Sequence, residues 1–268
     1  MLGRDVCIAA ERAGHEVVVL ARADLDVTDA AAVQRVFDAE RPDAVVNCAA
    51  YTNVDAAEDD EAAATLLNGD AAGYVAAAAP VVVHVSTDYV FDGTKREPYL
   101  ESDPVAPIGA YGRSKLAGER AVAEANPRHF IVRTSWLFGG AGKNFVDTML
   151  SVGAARDQLK VVDDQVGCPT YTGHLAEALV ELAGRDTGYG IYHVSGSGQC
   201  SWFEFAREIF RRAPEIDVHV DPCTTEEFPR PAPRPAYSVL GSERPDAIEL
   251  PDWQAGLDAY LAERTPAR

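Results

Sequence analysis

Residues 80–87 read Pro-Val-Val-Val-His-Val-Ser-Thr, and Asp88 follows directly. The run is almost continuously apolar and β-branched, then turns polar at Ser86, Thr87 and Asp88. A strand covered on both faces has that character, because neither side meets water. Similar runs recur at 15–21 (HEVVVLA), 43–49 (DAVVNCA) and 129–135 (HFIVRTS), with shorter ones at 159–163 (LKVVD) and 190–195 (GIYHVS). Ala-rich amphipathic segments at 29–40, 56–79 and 113–126 separate them and read as helices. Strand and helix alternating at this spacing predict a parallel sheet with right-handed crossovers. The expected fold class is α/β, a doubly wound, Rossmann-like parallel sheet. Ligands bind such sheets beyond the carboxyl ends of the strands. That rule directs attention to residues 21–28, 49–55, 86–92 and 134–140.

Beyond residue 140 proline and glycine become frequent, and helices at 173–184 and 201–213 sit among irregular stretches. The segment 226–238 (EEFPRPAPRPAYS) is Pro-rich. It is either a stiff spacer or a strap packed over a surface. The expected division is a nucleotide-binding domain over 1–168 and, over 169–268, mainly a smaller substrate lobe interwoven with the first.

The front of the chain departs from the fold's usual pattern. A nucleotide-binding sheet of this class opens with a strand, a Gly-rich turn and a helix. Here the helical pattern begins at residue 2 (LGRDVCIAAERAGH). A central strand is worth on the order of 10–15 kcal/mol of burial. The reading therefore expects about 10 to 15 further residues ahead of Met1, or else a damaged remnant of the fold.

Composition narrows the function. Lys+Arg number 24 against 42 Asp+Glu, a net charge of −18. That argues against nucleic acid and anionic membranes as partners. Only four of the basic residues are lysines, which fits either a high-salt medium or a GC-rich genome. An odd five cysteines without CxxC spacing point to a reducing, cytoplasmic setting rather than a disulfide or zinc framework. No apolar run approaches the roughly 20 residues of a membrane span.

Tyr111 and Lys115 form a Y-x-x-x-K pair within AYGRSKLAGE. At i and i+4 of a helix both project from one face. A neighbouring ammonium is expected to lower the tyrosine pKa and make the pair a general acid–base unit. Thr87, 24 residues earlier at a strand end, offers a hydroxyl to a substrate carbonyl. Trp136, just after the 129–135 run, offers a face for stacking or simply fills core.

Taken together, STDYVFDG, YGRSKLAGE, RTSWLFG, DDQVGCPTY and FPRPAPRPAYSVL stand in the order and spacing of a known family. The chain resembles the dTDP-4-dehydrorhamnose reductases, extended short-chain dehydrogenase/reductases, from about residue 2 to 260. The resemblance implies NADPH-dependent reduction of the C4 keto group of dTDP-4-dehydro-L-rhamnose. It implies Tyr111 as proton donor, Lys115 on the nicotinamide ribose and Thr87 polarising the carbonyl. Val54, Asp88 and Trp136, with Thr87, match positions near the sugar. Ala49, Ala50 and Tyr51 match the loop along the cofactor, and Asp26 and Val27 match its adenine side. Arg22 suits the 2′-phosphate that separates NADPH from NADH. Of the family's G-x-x-G-x-x-G turn only Gly3 matches, at the third glycine. No metal-ligand spacing is present, and Mg2+ stays open. The expected partners are a dTDP-sugar and, as an open option, a second copy of the chain. Two alternatives stand beside this reading. One is a non-catalytic subunit resembling the regulatory subunit of methionine adenosyltransferase. The other is a reductase or epimerase of another sugar nucleotide. For the positive charge a diphosphate needs, Arg133 and the Arg230/Arg234 cluster are the candidates.

Overall fold

The computed structural model of the chain describes residues 1–264. Its main sheet has four parallel strands, in the order Val45–Asn47, Val82–Thr87, His129–Thr134, Gly190–His193. Val82 pairs with His129 and Thr87 with Thr134, so the two longest strands end level. Side chains alternate between the faces, as the two-residue period of a strand requires. Val83, Phe130 and Val132 face a core shared with Leu2, Val6, Leu175 and Leu179. These come from the helices Leu2–Arg12 and Thr172–Ala183. Val82 and Ile131 face the opposite core, with Val33, Phe37, Val75 and Val122. Those come from the helices Ala30–Glu40, Ala71–Ala78 and Ala110–Ala125. Helices on both faces of a parallel sheet make the doubly wound α/β architecture that the sequence predicts.

Residues 15–21 correct the expectation of a covered strand. They form no strand, and Val18, Val19 and Leu20 are 49%, 61% and 41% exposed. Apolar, β-branched residues favour an extended backbone, but a strand also needs a ladder partner. Among the described residues this run has none. The 45–47 strand is likewise paired on one side only, with Val82–His84.

The helix expected over 56–79 is broken. Helices Ala56–Asp59 and Glu61–Thr65 lead into a wide π-type turn at Leu66–Asp70, then Ala71–Ala78. Asp60 leaves helical geometry and restarts the chain, its side chain accepting from the Ala63 N–H.

A second core gathers Phe138, Val146, Leu150, Phe205, Ile209, Trp253, Leu257 and Tyr260. Its helices are started by side-chain caps. Asn144 caps Phe145–Gly153, Ser201 and Glu204 form a capping box on Trp202–Arg212, and Asp252 caps Trp253–Glu263. A separate parallel pair, Gln158–Val162 with His219–Cys223, lies against the 202–212 helix.

The Pro-rich segment is a strap and not a spacer. The Ser238 N–H donates to Val166 O and the Val166 N–H to Ala236 O, both at 2.9 Å. Gly93, at φ +79°, lies so close beneath Pro235 that an added Cβ would sit 2.5 Å from the proline Cβ. Only glycine fits there.

Candidate active site

The site forms where the sheet's two longest strands end. Thr87 is the last residue of its strand, and the chain then tightens into a 3₁₀ turn at Asp88–Val90. The Thr87 hydroxyl accepts from the Tyr89 N–H at 3.2 Å and donates to Asp88 Oδ1 at 3.0 Å. Thr87 and Asp88 are both buried.

The Ala110–Ala125 helix brings the second half. Its N-cap, Gly109, has no capping side chain. Glu58 takes that role from another segment, accepting the Ala110 N–H at 2.7 Å. A carboxylate there also meets the positive end of the helix. Gly112 lets the helix close on the 3₁₀ turn, since an added Cβ would lie 2.2 Å from Tyr89 O. Tyr111 is thereby set against Tyr89, ring edge to face, with centroids 5.9 Å apart.

Lys115 is 2% exposed, and its Nζ donates to Val85 O at 2.7 Å. Burial pulls its pKa down to about 8, against the opposing pull of the Glu119 charge. Burial pushes the Tyr111 phenol up to about 12; the Asp88 charge adds to this, while a hydrogen bond with Thr87 opposes it. This overturns the expectation of a tyrosine made more acidic by its lysine. Burial of the phenol dominates, and the neighbouring Asp88 charge adds to it. A phenol that keeps its proton suits a donor, as a reduction requires. Asp88 is fully buried and its Oδ2 has no hydrogen-bond partner. Burial drives its carboxyl to about 7, with the Ser238 and Thr87 hydroxyls pulling the other way.

Two supports of the site carry no motif of their own. Asn68, in the wide turn, accepts from the Tyr51 N–H at 2.7 Å. Its amide donates to Tyr51 O at 3.1 Å and to Ser114 Oγ at 2.9 Å. Ser114 in turn donates to Tyr111 O at 2.7 Å. Asn68 thus ties the loop after the first sheet strand to the Tyr111 helix. Glu119, one helical turn beyond Lys115, accepts from Ser86 Oγ at 2.6 Å and from Arg133 at 2.9 and 2.7 Å. The Arg133–Glu119 pair is buried, with side chains 3% and 4% exposed. That removes Arg133 from the candidates for a diphosphate.

The remaining expected residues are placed as follows. Gly3 packs on the 45–47 strand's exit, where an added Cβ would lie 3.6 Å from Cys48 Cβ. Ala49, Ala50 and Tyr51 form the loop that follows, with the Ala49 N–H held by Asn47 Oδ1 at 3.1 Å. Asp26 is exposed and closes a turn by accepting from Thr28, which holds its carboxyl below the usual range. Val27 packs beneath, and Arg22 is exposed. Val54 is half-buried. Trp136, at φ +47°, is stacked on Trp202 with centroids 3.5 Å apart, so a protein ring already covers one of its faces.

Comparison with known proteins fits this geometry. The family model described as RmlD substrate binding domain matches residues 1–265. The dTDP-4-dehydrorhamnose reductase of Burkholderia thailandensis is 46% identical over 261 residues, 89% of this chain and 88% of that protein. The chain belongs to the dTDP-4-dehydrorhamnose reductase family. A dTDP-4-keto-6-deoxy-D-glucose reductase of Streptomyces niveus is 43% identical, over 91% of this chain and 86% of that protein. The Bacillus anthracis dTDP-4-dehydrorhamnose reductase, solved in complex with NADP, superposes with a TM-score of 0.94 at 40% identity. That match covers 98% of this chain and 95% of the other.

As a member of the dTDP-4-dehydrorhamnose reductase family the chain is an NAD(P)H-dependent oxidoreductase with NADPH as its cofactor. The residues present fit that group. Lys115 has three N–H donors and spends one on Val85, leaving two for ribose hydroxyls. The Leu2–Arg12 helix begins without a side-chain cap. Its first N–H groups suit a diphosphate.

Proposed function

We propose that the chain reduces the C4 keto group of dTDP-4-dehydro-L-rhamnose to give dTDP-L-rhamnose. The observation that carries this reading is the convergence of Thr87, Asp88, Tyr111 and Lys115 at the carboxyl end of the doubly paired strands. NADPH, when bound, supplies the hydride. The Tyr111 phenol gives its proton to the C4 oxygen as negative charge develops there. Thr87 polarises the carbonyl when its single hydroxyl proton turns from Asp88 Oδ1 to the C4 oxygen. Lys115 holds the ribose and keeps a positive charge beside the tyrosine. Asp88, with its free Oδ2, binds a sugar hydroxyl. Val54 and the exposed edge of Trp136 complete the sugar site, since Trp202 and Gly167 already pack on its ring, and residues 49–51, Arg22, Asp26 and Val27 line the cofactor. The division into 1–168 for the cofactor and 169–268 for the sugar lobe is interwoven, with the Thr172–Ala183 helix and Gly190–His193 strand in the main sheet's layers and the Phe145–Gly153 helix in the second core.

A second reading keeps the chemistry and changes the sugar. The dTDP-4-keto-6-deoxy-D-glucose reductase relative is nearly as similar as the rhamnose-forming one. Initial rates of NADPH oxidation with the two dTDP-4-keto sugars decide between them. The first reading expects the larger kcat/KM for dTDP-4-dehydro-L-rhamnose. A preference for dTDP-4-keto-6-deoxy-D-glucose would reverse it.

A further inference from the structure

A threonine hydroxyl has a single proton and two lone pairs. In the free protein Thr87 spends its proton on Asp88 Oδ1 at 3.0 Å, and a lone pair accepts from the Tyr89 N–H at 3.2 Å. Polarising a substrate carbonyl needs the same proton. The charge state of Asp88 therefore decides whether Thr87 is free to act. An ionised carboxylate only accepts, and it holds the proton by a charge-assisted bond roughly twice as strong as a neutral one. A neutral carboxyl carries a proton of its own. It can donate to the remaining lone pair of Thr87 and leave the Thr87 proton for the C4 oxygen.

The surroundings of Asp88 favour that neutral form. Asp88 is 2% exposed, and its Oδ2 has no hydrogen-bond partner. Thr87 and Tyr89 face it from its own turn, and Tyr111 from the Ala110–Ala125 helix. Cys168 faces it from just beyond the Val166–Gly167 strand, and the Ser238 hydroxyl from the strap. None of these carries a positive charge. Burial pushes the Tyr111 phenol up to about 12 and the Cys168 thiol up to about 11, and it raises Tyr89 as well. All three are uncharged at neutral pH. The Lys115 ammonium is turned to Val85 O. A buried carboxylate without a cation beside it is disfavoured against its acid, and the Asp88 carboxyl stands at about 7.

We propose that Asp88 works as a neutral acid during the reduction, donating to Thr87 so that Thr87 donates to the C4 oxygen. Its role is positioning. It sets the direction of the Thr87 hydroxyl, and no proton leaves it. Tyr111 still gives the proton that ends on the C4 oxygen, and Asp88 Oδ2 stays an acceptor for a sugar hydroxyl. Ionisation of Asp88 turns Thr87 back and withdraws a donor from the oxygen where charge develops. This inference rests on the proposed reduction of a C4 keto group.

The test follows single-turnover NADPH oxidation at saturating dTDP-4-dehydro-L-rhamnose from pH 6 to pH 8. The wild-type rate is expected to fall roughly 10- to 20-fold over that span, as Asp88 at about 7 and Lys115 at about 8 lose their protons. Asp88→Asn cannot ionise, and its amide can always donate to Thr87. Its fall is expected to shrink to roughly 2-fold, the share of Lys115, whatever the substitution does to KM. Thr87→Val serves if the asparagine variant does not fold. With no hydroxyl to direct, it is expected to be slower at every pH and to show the same shallow fall. A wild-type slope in either variant overturns the proposal. So does a wild-type rate that falls no more than about 2-fold. A wild-type protein that never oxidises NADPH with this sugar fails the reduction reading itself, and the inference with it.

Discussion

The runs at 82–87 and 15–21 are nearly alike in composition, yet they meet opposite fates. The first is paired on both sides and sealed by helices on both faces. The second pairs with nothing among the described residues and leaves three large apolar side chains in water. Between them stands the 45–47 strand, paired on one side and only half-buried. The gradient shows that a parallel sheet derives its order from its ladders, with side-chain composition permitting burial but not producing it. It also explains where the chemistry lies. Tyr111, Thr87 and Lys115 are built on the doubly paired strands and the helix over them. Arg22 and Asp26, proposed for the cofactor side, follow the unpaired run.

If that contrast is real, damage should scale with position along it. The largest effect belongs to the reacting end. Tyr111→Phe is expected to lower kcat by about 10²- to 10⁴-fold while NADPH still binds, as followed by fluorescence titration. Next comes the buried pair beneath it. Glu119→Ala strands a buried guanidinium and is expected to cost about 3–5 kcal/mol in urea denaturation. Glu61→Ala breaks an exposed pair made to Arg113 of the same helix, with both side chains 44% exposed, and is expected to cost at most about 1 kcal/mol. Equal losses would show that the buried network does not anchor the site. Smaller still is the contrast between the two runs themselves. Val83→Ala, at a fully buried position, is expected to cost about 2 kcal/mol. Val19→Ala is expected to stay within about 0.5 kcal/mol. Matching losses would mean that the 15–21 run is covered in solution.

A pH series sharpens the same point. Asp88 has its pKa raised to about 7 in the folded protein. The folded state therefore favours the protonated form more than the unfolded chain does. The stability this gives is complete below the ordinary carboxylate value and is lost as pH rises through about 7. Asp88→Asn is expected to flatten that part of a plot of Tm against pH. An unchanged slope would mean that Asp88 titrates normally.

The sequence made some of this legible for definite reasons. Tyr111 and Lys115 share a helix face because their spacing is local. Thr87 and Asp88 lie at the site because a buried strand ends where its polar residues begin. Other features depend on partners distant in the chain. Asn68 matters through Tyr51 and Ser114, and Glu119 through Ser86 and Arg133; neither has a local signal. Trp136 reads as a free stacking face until Trp202 arrives to cover one side. The 15–21 run reads as a strand because apolarity reports the capacity for burial, and the ladder partner is not encoded within it. The Tyr111 pKa is not legible because spacing shows the lysine but not the burial of the phenol or the Asp88 charge near it.

The central claim is that Tyr111, at the end of the doubly paired strands, protonates a C4 oxygen while NADPH reduces C4. The direct test uses NADPH deuterated at its transferable position with dTDP-4-dehydro-L-rhamnose, the product being read by mass spectrometry and NMR. One deuterium at C4 of dTDP-L-rhamnose, appearing about 10²- to 10⁴-fold more slowly with Tyr111→Phe, is the predicted result. A folded, NADPH-binding protein that leaves C4 unlabelled, or a Tyr111→Phe variant that labels it at the wild-type rate, would contradict the account.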